Sequence, residues 1–219
     1  MNASFLAQME QLLNLYALPY EAAFPVVCFD ERPCFLIGDA IEPRALQTGQ
    51  VAKEHYAYEK NGSCCLLAAI EPLTGQRLAQ VHSQRTKKEY TLFMLALAAQ
   101  YPTATKIRLV QDNLNTHNFS SFYQHLPADE ACLLSQRFEL YYTPRLNMIE
   151  IEFSALAQQC LNRRIPTQQQ LENEVLAIVK DRHRKQIKID WQFSLDKARN
   201  KINRHYQKVN ESNTKFQTT

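Results

Sequence analysis

The chain has 219 residues, of which 45% are hydrophobic and 21% are charged. These values are typical of globular proteins and exclude disordered and fibrous classes, and the length fits one domain with a small appendage. Only four glycines occur, and none has the spacing of a dinucleotide or P-loop motif. The sequence therefore offers no argument for a kinase or a dehydrogenase.

The net charge of +3 is unevenly distributed. Residues 1–136 carry a net charge of −3 and residues 137–219 carry +6. Within the second part, residues 180–208 contain ten basic and three acidic side chains, with Trp191 and Tyr206 among them. Such a density suits a nucleic-acid backbone, and it equally suits a solvated helical face, so charge alone leaves both interpretations open.

Cysteine usage and the N-terminus indicate the compartment. Six cysteines occur without a C-x-x-C pair and mostly in apolar surroundings, which predicts buried, reduced thiols. The first residues lack the basic and apolar regions of a secretory signal, and no run of about 18 apolar residues occurs. The sequence therefore predicts a cytoplasmic protein without membrane contact.

The first half of the chain predicts one helix and then an antiparallel meander. Apolar spacing at i, i+3, i+7 and i+10 predicts an amphipathic helix over residues 3–17 that docks on the main body. Residues 40–55 lack a period and are predicted to form a loop. Strands are predicted for residues 26–29, 34–37, 63–70 and 77–81.

The second half alternates strands with helices. The apolar runs 107–110 and 138–142 predict buried strands. Helices are predicted for residues 87–100, 118–135 with a break at Pro127, 147–161, 168–184 and 194–208. Crossover helices that follow a meander predict an α/β fold, in which a mixed sheet carries helices on its faces.

Two acidic residues directly follow apolar strands. Asp30 comes after residues 26–29, and Asp112 comes shortly after residues 107–110. In open α/β sheets, ligands bind beyond the carboxyl ends of the strands. Two carboxylates brought there from different strands form half of a site for a hard divalent cation. The alternative is that each aspartate only caps a helix or a turn.

Glu150 is the third acidic candidate, at the start of the helix predicted from residue 147. Asn147 lies three residues earlier, which is the spacing of a capping box and a purely structural alternative. Glu152 competes with Glu150 but should point elsewhere on the helix. The buried face is predicted to consist of Ile149, Phe153, Leu156 and Cys160. Glu150 borders that face and can lean towards the sheet.

The three carboxylates stand in distinctive segments, which read Asp30-Glu31-Arg32-Pro33, Val110-Gln111-Asp112-Asn113-Leu114-Asn115-Thr116-His117 and Leu146-Asn147-Met148-Ile149-Glu150. Together they closely resemble the catalytic core of mariner-like DDE transposases of bacterial insertion sequences. The resemblance covers about residues 5–208. It implies a ribonuclease-H-like (retroviral-integrase-like) fold, with a mixed five-stranded sheet flanked by helices.

The resemblance also implies a site and a reaction. Asp30, Asp112 and Glu150 would bind two Mg²⁺ or Mn²⁺ ions, with Asp30 bridging both, for DNA strand cleavage and strand transfer. Near the second aspartate, Asn113 would hold a carboxylate or a metal-bound water, and His117 would contact a phosphate. As bare residues, these two are more often turn and helix-cap groups.

The implied partner is double-stranded DNA, bound by a homodimer in the bacterial nucleoid. The phosphate contacts are assigned to basic side chains of the second half, namely Arg163, Arg164, Arg182, Arg184 and Lys185. These contacts should be sensitive to salt and weakly selective for sequence.

Three regions and two departures from the family complete these expectations. The regions are a docking helix (1–20), a catalytic core (21–165) and basic C-terminal helices (166–219). The usual N-terminal helix-turn-helix is expected to be lost or encoded in an upstream reading frame, and the link before Asn147 is shorter than usual. The alternative functions are an inactive DNA-binding or assembly remnant, and a stand-alone nuclease.

Overall fold

A five-stranded mixed sheet forms the centre of the computed structural model, which describes residues 1–40, 57–143 and 145–216, with side chains up to residue 213. The strand order is β3-β2-β1-β4-β5. The strands are β1 (Val26–Asp39), β2 (Tyr58–Ile70), β3 (Arg77–His82), β4 (Ile107–Gln111) and β5 (Phe138–Tyr142). The first three strands pair antiparallel, whereas β4 and β5 run parallel to β1.

β1 is one strand of 14 residues, so the prediction of two separate strands at 26–29 and 34–37 is wrong. The polar residues between the two apolar runs and Pro33 suggested a break. β4 pairs with β1 only as far as Cys28, whereas β2 follows β1 to its end. Beyond Cys28 the strand therefore has a strand neighbour on one side only, where a proline without an N–H is tolerated.

Eight α-helices occur in the described part of the chain. They are α1 (Ala3–Tyr16), α2 (Lys87–Gln100), α3 (Ser120–His125), α4 (Ala128–Gln136), α5 (Ile149–Leu156), α6 (Gln168–Arg184), α7 (Leu195–Lys201) and α8 (Asn203–Val209). A π-helical turn, Ala157–Leu161, extends α5. The helix predicted for 194–208 is two helices that meet at Ile202. The loop predicted for 40–55 lies outside the described residues, apart from Ala40.

The helices cover both faces of the sheet. α2, α3 and α4 pack on one face through Val27, Phe29, Tyr90, Phe93 and Phe122, which we call the α2 face. α5 and α6 pack on the other through Cys28, Val110, Ile149, Phe153 and Val175, which we call the α5 face. Because side chains alternate along a strand, successive residues of β1 serve the two faces in turn.

The first helix joins the two ends of the chain. Leu12 and Leu15 belong to the core of the α5 face. Leu6, Met9 and Leu13 pack instead against Ala198 of α7 and Tyr206 of α8. α1 therefore packs on the core of the α5 face and also on the C-terminal helices.

Most of the cysteines lie in the interior, as the sequence predicted. All six cysteines are free; five are buried, and Cys132 is half-buried. Within the described ranges, no helix combines the length and the apolar character that crossing a bilayer requires.

Candidate active site

Asp30 and Asp112 occupy equivalent positions on two parallel neighbouring strands. The last register pair of β1 and β4 joins Cys28 to Val110, and each aspartate follows two residues later. Cys28 and Val110 both lie on the α5 face. Because alternation has a period of two, the strand geometry directs Asp30 to that same face, whereas Asp112 lies one residue past the end of β4.

Asp30 lies within β1, just past the point where β4 leaves it, rather than at a strand end. Its Oδ1 accepts a hydrogen bond of 2.7 Å from the backbone N–H of Glu31. Burial raises the pKa of the Asp30 carboxyl to about 6; the Glu31 bond lowers it, and the charge of Asp112 raises it further. The two carboxylates therefore repel each other across the site.

Asp112 is held by a histidine. Its Oδ1 accepts from Nδ1 of His117, while the Asp112 side chain stays 37% exposed. The other ring nitrogen, Nε2, lies 3.6 Å from Oε2 of Glu31. Burial lowers the pKa of His117, but the hydrogen bond to Asp112 and the nearby carboxylate of Glu31 outweigh it and raise the pKa to about 9.

The expected phosphate contact of His117 is not supported, because its side chain has no exposed surface. The ring stacks on Tyr90 with centroids 5.0 Å apart and meets Phe29 edge-on at 5.2 Å. Its backbone N–H closes a turn on the Leu114 carbonyl at 2.9 Å. The neighbouring Asn113 is exposed.

Glu150 lies exposed in the first turn of α5. Glu152 is buried on the side of β3, where it accepts from Arg77 at 2.9 and 3.1 Å. At about 100° per residue, Glu150 and Glu152 leave the helix on opposite flanks of its buried stripe. Because Glu152 points to β3, Glu150 leaves on the flank of α5 that is turned away from β3.

Asn147 ties the start of α5 to the strand that carries Asp30. Its Nδ2 donates to the carbonyl of Phe29 at 2.7 Å, in a buried position. α5 begins after Met148 without a side-chain cap. The capping box proposed for Asn147 and Glu150 is therefore not formed, which removes that structural explanation for Glu150.

The short link before Asn147 is fixed at two further points. The hydroxyl of Thr143 accepts from the N–H of Arg145 at 3.3 Å and from that of Leu146 at 3.0 Å. The Leu146 carbonyl in turn accepts from the Tyr16 hydroxyl at 2.8 Å. These bonds hold Arg145 and Leu146 in place directly before Asn147 and α5.

The donor set fits a hard divalent cation, although the side chains are not gathered around one. As placed, no three Asp, Glu, His or Cys side chains among the described residues form a group that could hold a metal ion. Three carboxylates are nevertheless the ligands that Mg²⁺ prefers. A cation between Asp30 and Asp112 would offset both the burial and the charge repulsion that raise the pKa of Asp30.

The basic residues named from the sequence do not form one set. Arg182 is mostly buried and donates to Glu152 at 2.8 and 3.0 Å, so it is not an exposed contact. The other four are paired at or near the surface. Arg163 pairs with Glu174 at 2.5 Å, Arg164 with Asp39, and Arg184 and Lys185 with Asp181 at 2.5 and 2.6 Å.

The sequence interpretation missed Glu31. Its side chain is only 4% exposed and contacts both His117 and Arg85. Alternation could have found it, because a residue next to Asp30 in a strand must face the opposite side of the sheet. A carboxylate among apolar residues there requires a buried partner.

Known proteins resemble this chain in family and in fold. The family model for DDE superfamily endonucleases matches residues 25–172. No curated protein matches.

Among solved structures, the Mos1 mariner paired-end complex with Mn shares 13% identity, with a TM-score of 0.51, over 84% of this chain and 61% of that one. The Mos1 strand transfer complex shares 14% identity, with a TM-score of 0.53, over 97% of this chain and 62% of that one. The Mos1 paired-end complex with the left transposon end shares 13% identity, with a TM-score of 0.54, over 99% of this chain and 65% of that one.

The chain therefore spans less than two thirds of the length of these structures. At such identities, the likeness concerns the fold, which is ribonuclease-H-like, as the sequence predicted. The match to the family model extends over two thirds of the chain and includes both aspartates, Glu150 and the helix that carries it. The chain belongs to the DDE superfamily endonucleases.

Proposed function

We propose that this chain is the catalytic domain of a DNA transposase, which cleaves DNA strands and joins their ends. The observation that carries the proposal is the equivalent register of Asp30 and Asp112, each two residues past the last pair of the parallel strands β1 and β4. The anchoring of α5 to Phe29 through Asn147 supports the assignment of Glu150 to the same site. Membership in the endonuclease family and similarity to structures titled as transposon-end and strand transfer complexes support it.

Residues 21–165 form the proposed catalytic core, with Asp30, Asp112 and Glu150 holding two Mg²⁺ or Mn²⁺ ions. Such ions, when bound, neutralise charge on a phosphate and lower the pKa of water. The chain's own contribution is positional, since β1 and β4 fix the aspartates and Asn147 fixes the helix of Glu150. The exposed Asn113 can hydrogen-bond a ligand of that site.

The proposed partner is double-stranded DNA. Arg163, Arg164, Arg184 and Lys185 are the proposed phosphate contacts, each exchanging an acidic partner for DNA. Arg182 is left out because it serves Glu152. A homodimer on DNA, a helix-turn-helix product from an upstream frame and a bacterial nucleoid location are further parts of this proposal.

Nicking of supercoiled plasmid in Mn²⁺ tests the proposal. Asp30→Asn, Asp112→Asn and Glu150→Gln should each lower the rate by at least about 10²-fold, because each removes a metal ligand. Glu130→Gln is the matched control, since Glu130 is also exposed in the first turn of a helix, α4, which packs on the opposite face. It should leave the rate unchanged.

The same assay separates the alternatives. Equal background nicking by the unaltered chain and by all three ligand variants would mean an inactive remnant. Nicking without joined products, when pre-cleaved ends and a target plasmid are supplied, would mean a nuclease that does not transfer strands.

A further inference from the structure

We propose that His117 and Glu31 form a buried pair that orients the Asp112 carboxylate for metal binding, with His117 as a positioning residue. The inference rests on the proposed function and adds to it a role for two residues that do not touch the metal. It is carried by the contacts of three side chains drawn from β1 and from the turn after β4.

The contact with His117 divides the two oxygens of Asp112 between two tasks. Oδ1 accepts from the buried ring, whereas the side chain as a whole remains 37% exposed. An aspartate just after a strand can otherwise rotate about its side-chain bonds. Anchoring one oxygen leaves the other in a defined direction, and outer partners of this kind commonly orient metal-binding groups.

His117 itself is rigidly held. Its ring packs against both Tyr90 and Phe29, which also contact each other, and its carbonyl accepts from Nε2 of Gln111 at 2.8 Å and from the Tyr142 hydroxyl at 3.2 Å. Gln111 is fixed in turn, because its Oε1 accepts from the Tyr90 hydroxyl at 2.9 Å. A donor held from several sides can impose its own position on Asp112.

Glu31 completes the pair from the opposite face of β1. Its Oε2 lies 3.6 Å from Nε2 of His117, and its Oε1 lies 3.1 Å from Nε of Arg85. A site against two aromatic rings could hold a phenylalanine without burying any polar group. Burying an imidazole and a carboxylate there costs free energy unless both are paired, which favours a function over packing alone.

Titration of the full-length chain with Mn²⁺, followed by the electron paramagnetic resonance of free Mn²⁺, tests the inference. His117→Phe keeps the buried ring but removes the donor, and should weaken Mn²⁺ binding by about 10- to 100-fold. His117→Gln can still donate to Asp112 and should recover part of that loss. Glu31→Gln should weaken binding by about tenfold, because it loosens the ring.

Glu71→Gln is the matched control. Glu71 is also a buried carboxylate, and it accepts from the Thr74 hydroxyl at 2.6 Å, in the turn between β2 and β3. It should leave Mn²⁺ affinity unchanged even where it lowers the melting temperature. The melting temperature of every variant is measured in parallel, so that loss of fold and loss of metal are separated.

The outcomes discriminate sharply. A lower melting temperature with unchanged Mn²⁺ affinity in His117→Phe would show a purely structural role and overturn the inference. If that variant does not fold, Glu31→Gln decides, with unchanged affinity overturning the inference and a tenfold loss supporting it. Binding that is absent in the unaltered chain, or insensitive to Asp112→Asn, overturns the proposed function itself and the inference with it.

Discussion

At the scale of single residues, Glu152 shows how a catalytic-looking carboxylate can be structural. It is 2% exposed and accepts from both Arg77 and Arg182. Burial raises the pKa of its carboxyl, but the two guanidinium groups outweigh burial and lower it. Two residues away, Glu150 is exposed, so position on the helix separates a folding role from a chemical one.

Replacing Glu152 by Gln should therefore destabilise the fold strongly. The change leaves two guanidinium groups without their carboxylate, one of them fully buried, and should lower the free energy of unfolding by about 3–5 kcal/mol. Urea unfolding measures this loss. Glu130→Gln is the exposed comparison and should change stability by less than about 0.5 kcal/mol. A loss for Glu152→Gln as small as that would contradict the assigned role.

At the scale of elements, the link from β5 to α5 decides where Glu150 stands. Thr143 and Asn147 fix its two ends, and the Tyr16 hydroxyl fixes Leu146 between them. The link is short, yet Thr143, Leu146 and Asn147 each form a hydrogen bond in it. We therefore expect the shortening to be compatible with activity.

A four-residue Gly/Ser insertion after Arg145 tests this expectation. The insertion should loosen the turn at Thr143 and lower Mn²⁺-dependent nicking by at least about tenfold, since a ligand displaced by ~1 Å can cost about 10²-fold in rate. Stability should change by less than about 1 kcal/mol, because lengthening a loop costs little. Nicking that appears only after insertion would instead mean that the short link inactivates the chain.

Much of this element pattern was predictable from the sequence, since apolar periodicity reports burial directly. Periodicity located β4, β5, α2 and the buried face of α5. It failed for β1, because the interruption at Asp30 to Pro33 reflects where β4 leaves β1, and a sequence does not state where neighbouring strands end. It also failed for Asn147 and Arg182, whose partners Phe29 and Glu152 are distant in the chain.

At the scale of the whole molecule, α1 and the C-terminal helices depend on one another. Glu10 accepts from Arg199 at 2.8 and 2.9 Å and from the Tyr206 hydroxyl at 2.5 Å. The bond to Arg199 lowers the pKa of Glu10 more than burial raises it. A carboxyl with a lowered pKa stabilises the fold above its unfolded pKa, and this contribution disappears as the pH falls through its folded pKa.

The difference in unfolding free energy between the unaltered chain and Glu10→Gln should follow that rule. At pH 7 the unaltered chain should be more stable by about 1 kcal/mol, and the difference should vanish as the pH falls through the folded pKa of Glu10. Urea unfolding at several pH values measures it. A difference that stays constant with pH would mean that the charge of Glu10 contributes nothing.

DNA binding is also a property of the whole surface. Replacing both Arg184 and Lys185 by Ala should weaken binding to every duplex. It should also reduce the slope of log affinity against log salt concentration by up to about two units. Lys106→Ala is the control, because this exposed lysine precedes β4, at the strand end opposite Asp112. Equal salt slopes for the unaltered chain and both variants would mean that the basic side chains of residues 180–208 form a solvated surface and do not contact DNA.

The one-sided course of β1 beyond Cys28 also bears on self-association. A strand with a free edge can template the addition of a foreign strand, the first step of aggregation. Here the Phe29 carbonyl accepts from Asn147, Pro33 has no N–H, and the N–H of Ile37 donates to the Ile165 carbonyl at 2.9 Å. The side-chain amide of Asn147, which aligns α5, and Pro33 of β1 thus also protect this edge of β1 from intermolecular β-pairing.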